Sequence, residues 1–337
     1  MSNLPKELQI KLDNNYEFKG NIIINSKVIV EAWENKSTSQ KIAIKIYKSE
    51  CSSIVRREEQ VIAYINENLK DCNDAKKFIL KYDSHKYGRN NTYFMSEKYD
   101  NDLLKILQQN HDSKNVKPII LNIICQLIHG LYCLHEINVI HADFKIENIL
   151  INKNQIKIAD FGGCGFGDVK PIVSTRLIHD PYIRTKYKDY TESGIIGELN
   201  KASDIYALGI MILDILYYLA TNEAGYDERV KTLSQETNDT HWHTQINLIK
   251  KQLNIKFNED LLPQPIIDIF LNMLQYDATK RYTIKQLYEN ELIKTNCVGK
   301  LSFTDISNIK GISSQETKED EDSYKKNMLN IKSNIYY

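Results

Sequence analysis

The sequence predicts an α+β chain of two lobes, a small β-rich N-terminal lobe with one helix and a larger, mainly helical C-terminal lobe. Three observations carry that prediction. At 337 residues the chain exceeds what one hydrophobic core normally serves, so two cores joined by a hinge are expected. Apolar periodicity of both kinds also occurs along the chain, alternating and β-branched at Ala43-Ile44-Lys45-Ile46 and of helical spacing over residues 53 to 69 and Ile119 to Leu134. Finally, two short apolar runs around a polar turn, Ile149 to Ile151 and Ile156 to Ala159, imply a β-hairpin inside the helical part.

The elements follow in order. Residues 1–19 read as an N-terminal extension; Met1 to Lys11 has no apolar core flanked by basic residues, so no signal peptide is expected, and Ser2 stands where N-myristoylation requires glycine. Residues 20–97 form the expected small lobe. Within it Asn21 to Val30 reads as a β-rich strand pair and Ala43-Ile44-Lys45-Ile46 as a strand. Ile54, Val61, Ile62, Ile65 and Leu69 fall at helical spacing over residues 53 to 69; Glu58 lies on that buried stripe and Glu59 points away from it. Residues 98–295 form the large lobe. Pro118 opens a helix with Ile119, Ile120, Ile123, Ile124, Leu127, Ile128, Leu131 and Leu134 on one stripe, which is core packing. The run from Ser203 to Leu219 is apolar almost all round, as in a helix buried at the centre of a lobe; it is too short for a membrane span and contains Asp214. Periodicity fades from Asn296, and 296–337 reads as a flexible tail with a possible regulatory or docking role.

The hairpin has a chemical consequence. It brings Asn148, just before its first strand, close to Asp160, just after its second. Hard cations such as Mg²⁺ take oxygen ligands, commonly one or two carboxylates or amides with phosphate oxygens, and these two residues suit a metal bridging a nucleotide's phosphates. Asp143 remains free for a nucleophile.

The segment His141-Ala142-Asp143-Phe144-Lys145-Ile146-Glu147-Asn148, followed by Asp160-Phe161-Gly162, resembles the eukaryotic protein kinases, whose catalytic loop reads His-Arg-Asp with Asn five residues after the Asp. The resemblance implies that Asp143 accepts the substrate hydroxyl proton, Lys145 steadies the transferred phosphoryl group, and Asn148 and Asp160 hold Mg²⁺. It further implies that Lys45 contacts the α- and β-phosphates of ATP and pairs with Glu58. Ile29, Ala43, Glu97, Tyr99 and Leu150 line the nucleotide site, with Tyr93 to Tyr99 as the strand entering the hinge and Ser96 gating the rear of the pocket. Asp204 matches the residue that anchors the catalytic-loop backbone, and Asp277 to Thr283 matches the family's closing Asp-Pro-x-x-Arg-Pro-Thr segment, so the likeness runs from about residue 20 to about 294.

Three departures accompany it. The glycines of the family's Gly-x-Gly-x-x-Gly loop fall at about Ile22, Ile24 and Lys27; side chains there keep the backbone farther from phosphate and disfavour φ > 0. Ala142 replaces the arginine that pairs with a phosphorylated activation loop, so switching by that charge pair is not expected. Where Ala-Pro-Glu is sought, Arg184-Thr185-Lys186 offers no acid for Arg281, leaving Glu192 or another acid to supply it. Lys45, Asp143, Asn148 and Asp160 are nonetheless all present, and Lys145 two past the aspartate resembles the serine/threonine class. The implied function is transfer of the ATP γ-phosphate to serine or threonine hydroxyls of a protein. The alternative is a pseudokinase acting as scaffold or allosteric partner. Asp204 to Gly209 and Arg281 argue against a small-molecule phosphotransferase with a similar loop.

A formal charge of zero, from 44 basic and 44 acidic residues, gives no reason to expect nucleic acid or an anionic membrane as the main partner. The six cysteines, at 51, 72, 125, 133, 164 and 297, show no CxxC pair or metal-ligand spacing and are expected as reduced thiols of the cytoplasm or nucleus, with Cys164 buried and inert. His241 and His243, which flank Trp242 without a cysteine or carboxylate cluster, read as surface residues and not as a metal site.

Overall fold

Alternating β-branched residues build a five-stranded antiparallel sheet from β1 (Tyr16–Ile24), β2 (Val28–Asn35), β3 (Lys41–Tyr47), β4 (Asp83–Tyr87) and β5 (Asn91–Glu97), in the order β1-β2-β3-β5-β4. The computed structural model describes residues 1–48, 52–69, 77–87, 91–99, 101–110, 116–152, 155–171, 180–181, 199–221, 239–256 and 264–298. Contacts divide the described residues into two units: Met1–Ser52 with Tyr82–Lys98, and Ser53–Lys81 with those from Tyr99 to Val298.

In the first unit, Ile42, Ile44 and Ile46 of β3 are buried on one face of the sheet, and Ala43 and Lys45 stand on the other. Register carries this division to β2, where Val30 faces Lys45 and Ala32 faces Ala43, whereas Ile29 faces Ile46. The isoleucine face is covered by α1 (Lys6–Asp13): Leu4, Leu8, Leu12 and Tyr16 pack with Trp33, Tyr93 and Met95 in one core. Burying a large apolar side chain is worth about 1.5–3 kcal/mol, so the segment read from sequence as an extension contributes materially to this unit. Its entry is held by the fully buried Glu31, whose carboxylate accepts from Ser2 Oγ at 2.7 Å, from the Asn3 backbone N–H and from Trp33 Nε1 at 3.2 Å.

The second unit is mainly helical: α2 (Ser52–Asn68), α3 (Leu103–Asn110), α4 (Val116–Glu136), α5 (Lys201–Thr221), α6 (Asp239–Lys256), α7 (Gln264–Asn272), α8 (Ile284–Glu289) and α9 (Glu291–Val298), with β6 (Asn101–Asp102) beside the hairpin β7 (Ile149–Asn152) and β8 (Gln155–Ile158). Ile123, Ile124, Leu127, Ile128, Leu131 and Leu134 of α4 are all buried, as the stripe predicts, and α5 is buried without interruption from Ile205 to Leu213, Gly209 included. A Cβ on that Gly209 would lie 2.9 Å from Leu274 Cδ2, so glycine sets how closely the helix is approached. Thr283 and Gln286 close a capping box at the start of α8. No helix among the described residues is long and apolar enough to cross a membrane.

Two features differ from the sequence reading. The single helix expected with the sheet, α2, groups by its contacts with the helical unit, because Tyr64 donates to the Ile137 carbonyl at 3.0 Å and stacks on Phe166. Cys125 and Cys133, expected as reduced thiols, are both disulfide-bonded. Pairing of this kind is spatial and leaves no spacing signal in the chain.

Candidate active site

The hairpin does what its two apolar runs predict. β7 and β8 pair antiparallel from Ile149↔Ile158 to Asn152↔Gln155, and the Ala159 N–H donates to the Asn148 carbonyl at 2.9 Å, which sets Asp160 one residue beyond Asn148's cross-strand neighbour. Asn148 closes a 3₁₀ turn whose Nδ2 donates to the Asp143 carbonyl at 2.8 Å and to Asp143 Oδ2 at 3.1 Å. The same carboxylate oxygen meets Lys145 Nζ at 2.8 Å. Asp143 is buried, and its other oxygen, Oδ1, has no hydrogen-bond partner among the described residues.

The loop that carries Asp143 is held from below. Asp204, buried near the start of α5, accepts from the His141 N–H at 2.8 Å, from the Ala142 N–H at 2.9 Å and from His135 Nε2 at 2.9 Å. Those bonds hold Ala142 in the left-handed region, with φ 65°, where a non-glycine residue persists only under constraint. His141 Nδ1 accepts from the Asp143 N–H at 3.3 Å while Nε2 reaches the Ala159 carbonyl at 3.1 Å, a pattern that fits the neutral ring with its proton on Nε2. Its ring packs edge-on to Phe144 and Phe161. Asp160 is also left-handed, with φ 64° and ψ 80°, immediately before the buried Phe161. Cys164, beneath this cluster, is fully buried; desolvation and then the nearby carboxylates of Asp204, Asp160, Glu58 and Asp143 push its thiol up, as expected of an inert cysteine.

In the first unit, Lys45 and Ala43 share the sheet face opposite the isoleucine core, and Lys45 Nζ sits 5.0 Å from the centre of the Tyr47 ring. Ser96 pairs with Ala43 and is buried, so it lies on this face too, while Glu97 pairs with Ile42 and presents its backbone at the strand end. Ile29 does not belong here. It is buried in the core under α1, and Val30, opposite Lys45, takes the position assigned to it. Counting back from Lys45 without glycines to mark the turn put the strand one residue out of register. At that turn Asn25 accepts from the Lys27 and Val28 N–H groups, a hairpin tip with Ile22 and Ile24 exposed, as the strand-pair reading predicts.

The remaining residues fall in the second unit. Glu58 is fully buried and Glu59 half-buried, as the α2 stripe requires. Tyr99 and Leu150 are half-buried. Residues 184–186 and Glu192 lie outside the described residues, but the acid they were invoked to supply is found elsewhere: Arg281 Nη1 bonds Asp180, immediately before Pro181. The arginine also donates to the carbonyls of Gln275 at 2.7 Å, Ala202 at 3.0 Å and Tyr276 at 3.1 Å and lies over the Tyr206 ring. The local signal for Asp180 is its neighbour Pro181, since Ala-Pro-Glu also sets an acid beside a proline. Trp242 is buried against Tyr206 and Tyr276 and His243 is exposed. No group of three or more His, Cys, Asp or Glu that could hold a metal gathers among the described residues.

A sheet of this order, an aspartate loop anchored from a buried helix and a hairpin ending in Asp-Phe-Gly together define the protein kinase class. A family model, the protein kinase domain, matches residues 26–293, and the chain belongs to that family. Among curated proteins it is 24% identical over 234 residues to cyclin-dependent kinase 12 of Caenorhabditis elegans, covering 64% of this chain and 31% of the relative. It is 26% identical over 230 residues to extracellular signal-regulated kinase 1 of Candida albicans, covering 64% and 51%, and 27% identical over 217 residues to homeodomain-interacting protein kinase 1 of C. elegans, covering 59% and 23%. The chain thus spans about half or less of the length of these relatives.

Proposed function

We propose that this chain is an active protein serine/threonine kinase that transfers the γ-phosphate of ATP to a protein hydroxyl. The observation that carries the reading is the Asp143 carboxylate: one oxygen is held by Lys145 and Asn148, and the other is buried with no partner among the described residues. A buried acceptor oxygen left unpaired costs free energy unless a donor arrives, and a substrate hydroxyl is such a donor. Asp143 therefore orients the hydroxyl and takes its proton, and Lys145 offsets negative charge on the transferred group. Asn148 spends its amide N–H groups on Asp143, which leaves its carbonyl oxygen, with the Asp160 carboxylate, as the hard oxygen set that Mg²⁺ prefers. Bound there, the ion would neutralise phosphate charge. The family's motifs assign nucleotide binding to Lys45, Ala43, Val30, Ser96 and Glu97 of the first unit and to Tyr99 and Leu150 of the second, and assign Glu58 as the partner of Lys45. Lys145, two residues past Asp143, favours serine or threonine as acceptor.

The test is incubation of the purified chain with labelled ATP, Mg²⁺ and a generic protein substrate beside an Asp160→Ala control. Transfer by the parent alone is the expected outcome. Equal background from both, with no nucleotide-induced rise in melting temperature, overturns the proposal in favour of a pseudokinase scaffold.

A further inference from the structure

We infer that Tyr64, Phe166 and Arg57 are positioning residues: a clasp free of phosphate that fixes α2, and with it Glu58, on the unit that carries Asp143. The inference rests on the kinase reading and goes beyond it. Arg57 and Tyr64 stand two helical turns apart, so they occupy one face of α2, while Glu58 projects about 100° around the helix from Arg57. Clasping the first face therefore sets the direction of the second.

Three contacts hold it. The Tyr64 and Phe166 rings stack at 4.0 Å with 17° between their planes, the Tyr64 hydroxyl donates to the Ile137 carbonyl at 3.0 Å, and Arg57 Nη1 donates to the Lys170 carbonyl. What receives them is rigid. Ile140 and Gly165 exchange backbone hydrogen bonds of 2.9 and 2.8 Å, and Phe166 and Val169 exchange a second pair, also 2.9 and 2.8 Å, around Gly167 with φ 51°. A Cβ on Gly165 would lie 2.5 Å from the Pro171 nitrogen, so the chain is closely folded back just before Phe166. Residues 137–140 lead directly into the Asp143 loop and 165–170 directly out of Asp160, so the clasp ties α2 to both ends of the chemistry.

None of these groups is a phosphate acceptor's partner, and Ala142 stands where the family keeps the arginine that reads a phosphorylated loop. Arg57 is already committed to a backbone carbonyl, and burial lowers its pKa, as for a guanidinium drawn into the protein. Positioning by packing thus replaces positioning by phosphate.

The test uses the full chain, phosphatase-treated or not, with Phe166→Ala, Phe166→Tyr and Tyr64→Phe. The phosphatase-treated parent should keep its transfer rate. Phe166→Ala should lower kcat by about 3- to 10-fold, the worth of one aromatic pair, with the protein-substrate KM unchanged, and should speed amide exchange of residues 52–68 by a similar factor. Phe166→Tyr should restore both, and Tyr64→Phe, which removes one hydrogen bond and keeps the stack, should speed that exchange by about 2- to 10-fold if Phe166→Ala fails to fold. Loss of the parent's activity on phosphatase treatment overturns the clasp, as does parental α2 exchange in Phe166→Ala and Tyr64→Phe. A parent that transfers no phosphate overturns the kinase reading instead; the exchange comparison then still decides the clasp.

Discussion

Two regions of this chain correspond to parts that handle phosphate in the family, and they are built in opposite ways. The loop from His141 to Asn148 is tied down by hydrogen bonds that leave Asp143 Oδ1 to a substrate: Asp204 takes two backbone N–H groups, His141 bridges Asp143 to Ala159, and Asn148 and Lys145 share the other oxygen of Asp143. The tip of the β1–β2 hairpin is held by one asparagine and exposes Ile22, Ile23 and Ile24, at 44%, 47% and 50% of their surface. Chemistry done by charged side chains needs fixed positions and is anchored here from a buried helix. Chemistry done by bare backbone needs glycine, and the tip of this hairpin, from Asn21 to Val28, lacks it. The comparison therefore predicts an enzyme whose transfer step is intact and whose hold on nucleotide is altered.

The severest test strikes the loop. Asp143→Asn keeps the shape and removes the proton acceptor, so kcat should fall about 10²- to 10⁴-fold with the KM for ATP little changed. A fall of less than tenfold would mean that the anchored loop is scaffolding, and the contrast with the hairpin would vanish.

Next in size is the anchor of the helical unit. Arg281 and Asp180 are both buried, and removing one partner of a buried ion pair strands the other charge, so Asp180→Ala should cost about 3–5 kcal/mol in urea unfolding. Replacing both with apolar residues should cost less than either single change. If Asp180→Ala unfolds like the parent, the relocated acid is not what satisfies Arg281.

How far the chain could be read in advance follows from the length scale of each feature. That Asp143, Asn148 and Asp160 fall close together was readable because a loop and one hairpin relate them, and the burial of Glu58 because a single helical stripe separates it from Glu59. Asp180 was not, since its partner lies 101 residues away and the familiar order of proline and acid is reversed. Ile29 was misassigned for want of local punctuation: β1 carries register shifts between Phe18 and Gly20 and between Asn21 and Ile23, and a one-residue slip exchanges the faces of a strand. The cover provided by α1 was missed because Leu4, Leu8 and Leu12 make only two helical turns, too few to distinguish a stripe from chance.

That cover supplies a third, smaller test on the hairpin side of the comparison. Glu31→Ala leaves the Asn3 N–H and Trp33 Nε1 without their acceptor, at a cost of about 1–3 kcal/mol, and should speed amide exchange of α1 more than that of α4. Equal acceleration in both helices would show that α1 is not separately fastened by this carboxylate.

The smallest effect bears most directly on the contrast between the two regions. Ile22→Gly and Ile24→Gly restore conformational freedom where the hairpin now carries exposed side chains. Each should cost about 0.5–1 kcal/mol of stability, because glycine loses more backbone entropy on folding. Neither removes a buried contact, since both isoleucines are exposed. If exposed side chains are what keep the backbone from phosphate, the double variant should bind ATP more tightly, read as a lower KM at unchanged kcat, in spite of its lower melting temperature. An unchanged KM would mean that the hairpin takes no part in holding nucleotide even when given glycine, and that the anchored loop and the Lys45 face do so without it.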